Sequence, residues 1–530
     1  MKNFIYSILL LFINLSNGQE TIGLVFDDIN KEKSEGFTLF KATSDERVFL
    51  INNCGEVVNQ WNNSIDGSRN NYFLENGNLL QSSGFEAQLR DWDNNILWGI
   101  NYQDEFGFRI HHDIEPLPNG NFLVLVRDVY SNTEMFAEGK DTSFSGNNFM
   151  LEKIIEIEPV GANSANIVWE WKLFDHLIQD FDSSKPNYGV VADNPQLLNM
   201  NYDGGNPENF VHANAIDYNE ELDQIAISSR HLNEVFVIDH STTTAEAASH
   251  AGGIYNKGGD FLWRWGNPAV YNMGTIDDRK LGRQHDIKWI TEGPNQGKMS
   301  VFSNDGYGVD ITASSIHIID QNDSNGIYSM SLGKFLPEDY FWSYDGVILG
   351  ETMLGSSRCG MQIMSNGNAL INESEKGRIT EVDNLGNVVW VYIIPVANNT
   401  VFNQTDDPSD NASFRAHRYP SNYVGFNGVT FNNTGKIEDV NVLTDDCVNR
   451  LSIEDSQLVG LKVYPNPTED ILNFDFTQLI DEIEVYNITG KMVLRKTDSN
   501  SINLENITKG LYMVKISVGN TSKYVKVLKN

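Results

Sequence analysis

Six β-type segments of this chain end on tryptophan, at Trp61, Trp98, Trp171, Trp265, Trp342 and Trp390. They stand roughly 40 residues or more apart, the interval of a four-stranded repeat. Between them recur ENGNLL at 75–80, LPNGNFLVL at 117–125 and SNGNALI at 365–371. Asn-Gly between alternating apolar residues signals a hairpin, because both turn positions need φ > 0. One unit reads in full as strands at 112–117, 122–127, 151–157 and 167–173. Repeated radially, such units cover one another's faces, and closing the ring removes the long exposed edges. The expected fold is all-β: a six-bladed β-propeller over about residues 21–442, with insertions such as 129–148 and 175–207 looping over one face. Closure needs a strand borrowed across the ring, and SFRAHRYPSNYVGF at 413–426 has the composition for it. Its Arg415, His417 and Arg418 either reach a central pocket or stay as solvated strand-edge charges.

Charge narrows the class of partner. The 38 basic and 72 acidic side chains among 530 residues leave a net −34, which argues against nucleic acid and against anionic membranes. The excess acid lies in the body of the chain, since from Leu458 onward nine Lys or Arg face eight Asp or Glu. A solvated acidic surface accounts for it, with calcium or cationic partners as the alternative. Residues 1–18 carry Lys2, an apolar run over 5–15 and a Ser16-Asn17-Gly18 end, the pattern of a signal peptide. No later stretch approaches the length of a membrane-spanning helix. The expected product is exported, into a compartment that permits disulfides. Cys54, Cys359 and Cys447 allow one bridge in three pairings, and their spacing fits neither a zinc ribbon nor a CxxC motif.

Three histidines share a register. His112, His212 and His285 each stand seven residues ahead of a predicted turn, at Asn119, Asn219 and Glu292. If the first strand of each blade lines the axis, alternation brings the three imidazoles to one end of the central channel. On the same alternation His111 and His231 face the opposite way. Arg230, in SSRH at 228–231, ends the second strand of the His212 blade and returns to the same level. Imidazoles with a guanidinium suit an oxyanion, and imidazole also serves as nucleophile or base near neutral pH. Zinc is the competing reading of three histidines, but HxxxH and HExxH spacings are absent and Arg230 would repel a cation. The same seven-residue rule puts Cys359 ahead of Asn366-Gly367 as a pocket residue and free thiol, leaving Cys54 and Cys447 to pair. A buried cysteine is, alternatively, just a small hydrophobe. GPNQGK at 293–298 is not a phosphate loop: it lacks one residue between its glycines and has Met299 where Ser or Thr would hold magnesium.

After Asp445 the texture changes. A linker over 443–457 leads to a small β-sandwich over 458–530, built on LKVYPNPTEDILNF (461–474), IEVYNITGKMVLR (483–495) and KGLYMVKIS (509–517). With its YPNP, NITGK and GLY motifs and basic end, this tail resembles the type A C-terminal sorting domain of the bacterial type IX secretion system. The resemblance implies recognition by that machinery, removal of the tail, and a secreted or surface location in a Gram-negative bacterium.

HHDIEPLPNGN at 111–121, VHANAIDYN at 211–219 with SSRH, and QHDI at 284–287 resemble the bacterial arylsulfate sulfotransferases, over about 400 residues. GFTLF at 36–40 and VFLINNCGEVVNQW at 48–61 fit the family's first blade. The resemblance implies sulfuryl transfer from a phenolic sulfate ester to a phenolic acceptor through a sulfohistidine, with neither nucleotide donor, cofactor nor metal. It implies His285 as nucleophile, with His112, His212 and Arg230 gripping the sulfuryl oxygens and Asn214 orienting them; Arg415 and Cys359 are the further candidate substrate contacts. A non-catalytic surface propeller that binds sulfated or aromatic ligands is the alternative. A quinone-dependent dehydrogenase would want calcium ligands and more blades.

Overall fold

The recurrent tryptophans mark the fourth strands, counted from the axis, of six antiparallel sheets; four are simple meanders and two take a strand from the other end of the propeller. The computed structural model describes residues 21–438 and 461–530, apart from 29, 205, 207, 405, 407, 477, 478, 488–490, 519 and 520. The expected signal peptide, the linker and Cys447 lie outside the described residues. Taken in chain order, the first strands of the sheets are Asn70–Phe73, Ile110–Pro116, Ala213–Asn219, His285–Trp289, Gly360–Ile363 and Ser413–Pro420. Each touches the next and the last touches the first, so they form a closed ring around one axis. The fold is a β-propeller. Its apolar core lies between neighbouring sheets: Tyr72 and Leu80 meet Phe122 and Val124, and Leu151 and Trp171 meet Ile227 and Phe236.

The packing explains why tryptophan recurs. Trp61, Trp98, Trp171, Trp265 and Trp390 are buried between sheets. Each indole N–H donates to a carbonyl of the following sheet: to Asp91, Ser164, Gly259, Pro337 and Asn53, at 2.7–2.8 Å. Indole supplies both a large ring and a donor for that junction. Nearer the axis, carboxylates repeat the device. Asp113, Asp217 and Asp286 accept the backbone N–H of Ile216, Trp289 and Met361, one sheet further on, at 2.6–2.9 Å.

Closure uses both ends of the propeller. Ser413–Pro420 becomes the innermost strand of the first sheet, paired antiparallel to Gly36–Ala42. Gly23–Asp27 becomes a fifth, outermost strand of the last sheet, paired to Val388–Ile393. The closing strand does not carry solvated charges. Arg415 and Arg418 are buried. Arg418 pairs with buried Glu381 of the last sheet, and its Nε donates to Thr38 Oγ1 at 2.9 Å. Removing one partner of a buried pair strands the other charge, so Arg418→Met is expected to cost about 3–5 kcal/mol in chemical denaturation. A loss under about 1 kcal/mol would mean that the pair does not hold the closure.

A second compact unit covers Val442–Asn530. Within it a three-stranded sheet faces a four-stranded one, with Leu472, Phe474, Ile483, Val485, Val514 and Ile516 buried between them. It is a β-sandwich.

Candidate active site

All three registered histidines sit at the start of an inner strand, but simple alternation is not what aims them. His112 and His212 have left-handed backbones, φ 73° and 48°. The ladder of the His112 strand is irregular at that point, opposite Val124 and Val126, and that of the His212 strand just after it, between Ala213 and Ala215. Such bulges re-aim side chains and cluster at functional sites. One consequence corrects the expectation for His111 and His231. The His111 ring lies 4.4 Å from that of His112 and 5.0 Å from that of His212. The His231 ring lies 4.6 Å from that of His212. Both belong to the cluster.

Proton positions follow from fixed donors and acceptors. Arg69 Nη1 must donate, and it lies 3.1 Å from His112 Nδ1. The proton of a neutral His112 is therefore on Nε2, which faces His212 Nε2 at 3.1 Å. His212 accepts there and carries its own proton on Nδ1. Asn209 lies 2.5 Å from that nitrogen, and its Oδ1 has no other partner. Turning the Asn209 amide to present oxygen completes the chain. Arg230 Nη1 donates to His231 Nε2 at 2.9 Å, and His231 Nδ1 donates to the Asn209 carbonyl at 2.5 Å.

His285 is set the opposite way. Its Nδ1 donates to Asn304 Oδ1 at 2.6 Å. The orientation of that amide is settled by Asn304 Nδ2, which donates to the carbonyls of Gly355 at 2.7 Å and Arg358 at 3.3 Å. His285 Nε2 is thus an unprotonated lone pair. Burial, then the Arg415 charge, hold this imidazole well below its ordinary pKa against the Asn304 hydrogen bond. Burial and neighbouring charges likewise lower His212 to about 2 and His111 to about 3, and hold His112 well below 6.5.

Guanidinium groups surround the imidazoles. Burial, then Arg358 and Arg127, lower the pKa of Arg69; burial, then Arg283, lower that of Arg230. Among the described residues Arg69, Arg127, Arg230 and Arg358 form no ion pair. Guanidinium groups gathered around the imidazoles with no ion-pair partner of their own are a receptor for an anion. Arg415 is differently placed. Its Nε binds Asp286 at 2.7 Å and its Nη1 the Cys359 carbonyl at 2.6 Å, leaving Nη2 without a partner. Asn214 reaches across to the Gln284 carbonyl at 2.7 Å, beside His285, so it braces the start of the His285 strand. Cys359 has the expected spacing but the wrong direction. It is a free thiol, buried in the apolar cluster of the fifth and sixth sheets and held by Ser357 O and Ser374 N at 3.3 Å. That burial takes Cys359 out of the set of substrate contacts. Cys54 is disulfide-bonded; the expected partner Cys447 lies outside the described residues.

Spacing could have found Arg69, which stands seven residues ahead of Asn76, as His112 does of Asn119. Asn209 and Asn304 had no such signal, because they lie on connections whose course only the fold defines. A metal is the other ligand to weigh, since His111, His112 and His212 bring ligand atoms within 4.8 Å of one another. Arg69 keeps the His112 proton on Nε2, the nitrogen that would have to ligate, and the guanidinium groups add positive charge. The donor set fits an oxyanion better.

The family model described as Arylsulfotransferase (ASST) matches residues 24–329. The chain belongs to the arylsulfotransferase family. A second model, the secretion system C-terminal sorting domain, matches residues 462–530 and implies export by the type IX system to the cell surface or medium. No described helix is long and apolar enough to cross a membrane. An ulvan lyase, NLR42, of Nonlabens ulvanivorans is 28% identical over 79 residues, 14% of this chain and 15% of that protein. Among solved structures, a protein of unknown function from Bacteroides caccae aligns with TM-score 0.36 and 14% identity, over 68% of this chain and 94% of that one. Virginiamycin B lyase of Staphylococcus aureus aligns with TM-score 0.32 and 9% identity, over 71% and 90%. The Dos1 propeller aligns with TM-score 0.30 and 9% identity, over 94% and 95%.

The depressed histidines of this family member set the sign of its pH response. A histidine whose folded pKa lies below its unfolded value contributes stability that is present above about pH 6.5 and lost as pH falls. His317, lowered by burial to about 3, belongs to this group but lies outside the site, between Ser315 and Ser343. His240 is the opposite case. Burial opposes its charge, but Asp223 and Glu156 raise its pKa to about 9, so its contribution is lost as pH rises through 9. The melting temperature is expected to fall between pH 6.5 and 5, and less steeply in His317→Gln. An unchanged slope in that variant would refute the assignment.

Proposed function

We propose that this protein transfers a sulfuryl group from a phenolic sulfate ester to a phenolic acceptor, by way of a sulfated His285. The observation that carries the reading is the Asn304 hydrogen bond, which leaves a neutral imidazole with its Nε2 lone pair free, within the field of Arg415 and of unpaired Arg230. In the first step that lone pair bonds to sulfur, the bond from sulfur to the aryl oxygen breaks, and the phenolate leaves. The sulfated imidazole keeps its proton on Nδ1, held by Asn304. In the second step the acceptor phenol oxygen attacks sulfur, the bond from Nε2 to sulfur breaks, and the phenol proton passes to solvent or to the departed phenolate. His285 ends as it began. Arg69 and Arg230 stabilise the three equatorial oxygens; His112 and His231 position them by accepting their N–H groups, and His212 holds His112 in that role by accepting its only proton. By analogy with phosphoryl transfer, positioning and fixed positive charge supply most of the rate. No step calls on a nucleotide or a metal. The cell is of the Gram-negative type that carries a type IX secretion system.

The test is release of 4-nitrophenol from its sulfate ester with phenol varied. Release should rise with phenol, and double-reciprocal plots should give parallel lines, the mark of a covalent two-step path. No turnover of several aryl sulfates that nevertheless bind would favour the non-catalytic binding propeller.

A further inference from the structure

Interleaved in sequence with the registered histidines, two more share one acceptor. His176 Nδ1 and His250 Nδ1 lie 2.8 and 2.7 Å from the same oxygen, Asp260 Oδ1. The other His176 nitrogen, Nε2, lies 2.8 Å from the Ala247 carbonyl. A carbonyl has no proton to give, so Nε2 donates and a neutral His176 presents a lone pair at Nδ1. That lone pair faces a carboxylate oxygen at hydrogen-bonding distance. Two acceptors so close need positive charge between them, from a second proton or from a metal ion.

We propose that His176 Nδ1, His250 Nδ1 and Asp260 Oδ1 bind one divalent first-row metal ion, zinc foremost. The three ligand atoms lie within 4.8 Å of one another. Separations near 3 Å are about those between neighbouring ligands on a tetrahedron with bonds of about 2 Å. Two imidazoles and a carboxylate are a zinc donor set that leaves a fourth position for water. The burial pattern provides for that water and for entry: His176 and Asp260 are buried, while the His250 side chain is 60% exposed. The outer shell is in place too. The Ala247 carbonyl fixes the tautomer of His176, and the Trp171 ring stacks on it at 5.8 Å and 8°. Ligating histidines are commonly oriented by just such a carbonyl.

The ligands come from neighbouring sheets. His176 follows the outer strand Ser164–Lys172 of one. His250 and Asp260 lie on the connection between Glu234–Asp239 and Trp263–Trp265 of the next, whose one α-helix is Thr244–Ala247. An ion here would staple this long connection to the neighbouring blade, beside the bond from Trp171 to Gly259. Metal binding would then add directly to the stability of the folded state.

The full chain, stripped with chelator, should take up one equivalent of Zn²⁺ by calorimetry and elemental analysis, and its melting temperature should rise with it. Co²⁺ in its place should show the visible bands of a tetrahedral site. His250→Ala, at an exposed position that folding tolerates, should weaken binding at least 10-fold and abolish the thermal shift. His112→Ala should leave both unchanged. Absence of uptake by the wild type would overturn the proposal. So would uptake that survives His250→Ala, or uptake lost in His112→Ala, which would put the ion in the other histidine cluster.

Discussion

His285→Ala is expected to lower turnover of an aryl sulfate by on the order of 10³-fold or more, with the protein still folded and still able to bind the donor. In the proposed mechanism the substitution removes the one atom to which sulfur would bond and leaves the arginine cluster intact, so any residual rate reflects positioning and charge alone. The decisive measurement is intact mass after mixing with donor in the absence of acceptor. The wild type should gain the mass of one SO₃ group, discharged when phenol is added, and the variant should gain nothing. An adduct that persists in His285→Ala would move the nucleophile elsewhere.

Asn304→Ala should have the next largest effect. Without the Asn304 oxygen, His285 is free to carry its proton on Nε2, the nitrogen that must attack. The sulfated imidazole also loses the charge-assisted hydrogen bond to its Nδ1–H, worth roughly 2 kcal/mol. Together these predict a fall in kcat on the order of 10²-fold with little change in KM. Because Asn304 also holds the Gly355 and Arg358 carbonyls, the melting temperature must be checked alongside. A variant whose KM rises while kcat holds would show that Asn304 shapes the binding loop and not the tautomer of His285.

The acidic composition looks unsuited to a substrate that is itself an anion. The conflict disappears at the scale of the site. With a screening length near 8 Å at physiological salt, distant surface carboxylates count for little beside four unpaired guanidinium groups. The charges that bind are local, and net charge reports mainly on solubility.

Much of this was written in the sequence. Tryptophan recurs because each outer wall needs a ring and a donor together, so its spacing reports blade junctions directly. The seven-residue interval holds because the inner strands share one length from axis to turn, and it reaches Arg69 as readily as His112. What the interval cannot carry is direction. A bulge at His112 turns His111 into the cluster, and a left-handed backbone at Cys359, φ 71°, accompanies a thiol packed into the core. Asn304 lies 19 residues beyond His285 and acts on it through one hydrogen bond; spacing has no way to pair them. Arg415 and Arg418 read as edge charges only while their partners, Asp286 and Glu381, sit in other sheets at unknown distance.

The two-ended closure bears on when this protein can become itself. The bond from Arg418 to Ser34 joins residues 384 positions apart, so the first sheet lacks its axial strand until nearly the whole propeller has been delivered. Contacts of such high order form late and slowly. Until then the ring is open. Afterwards the order reverses: each end is clasped by strands next to the other, fraying from either one breaks the ring, and the folded molecule outlasts its own slow assembly through a high barrier to unfolding.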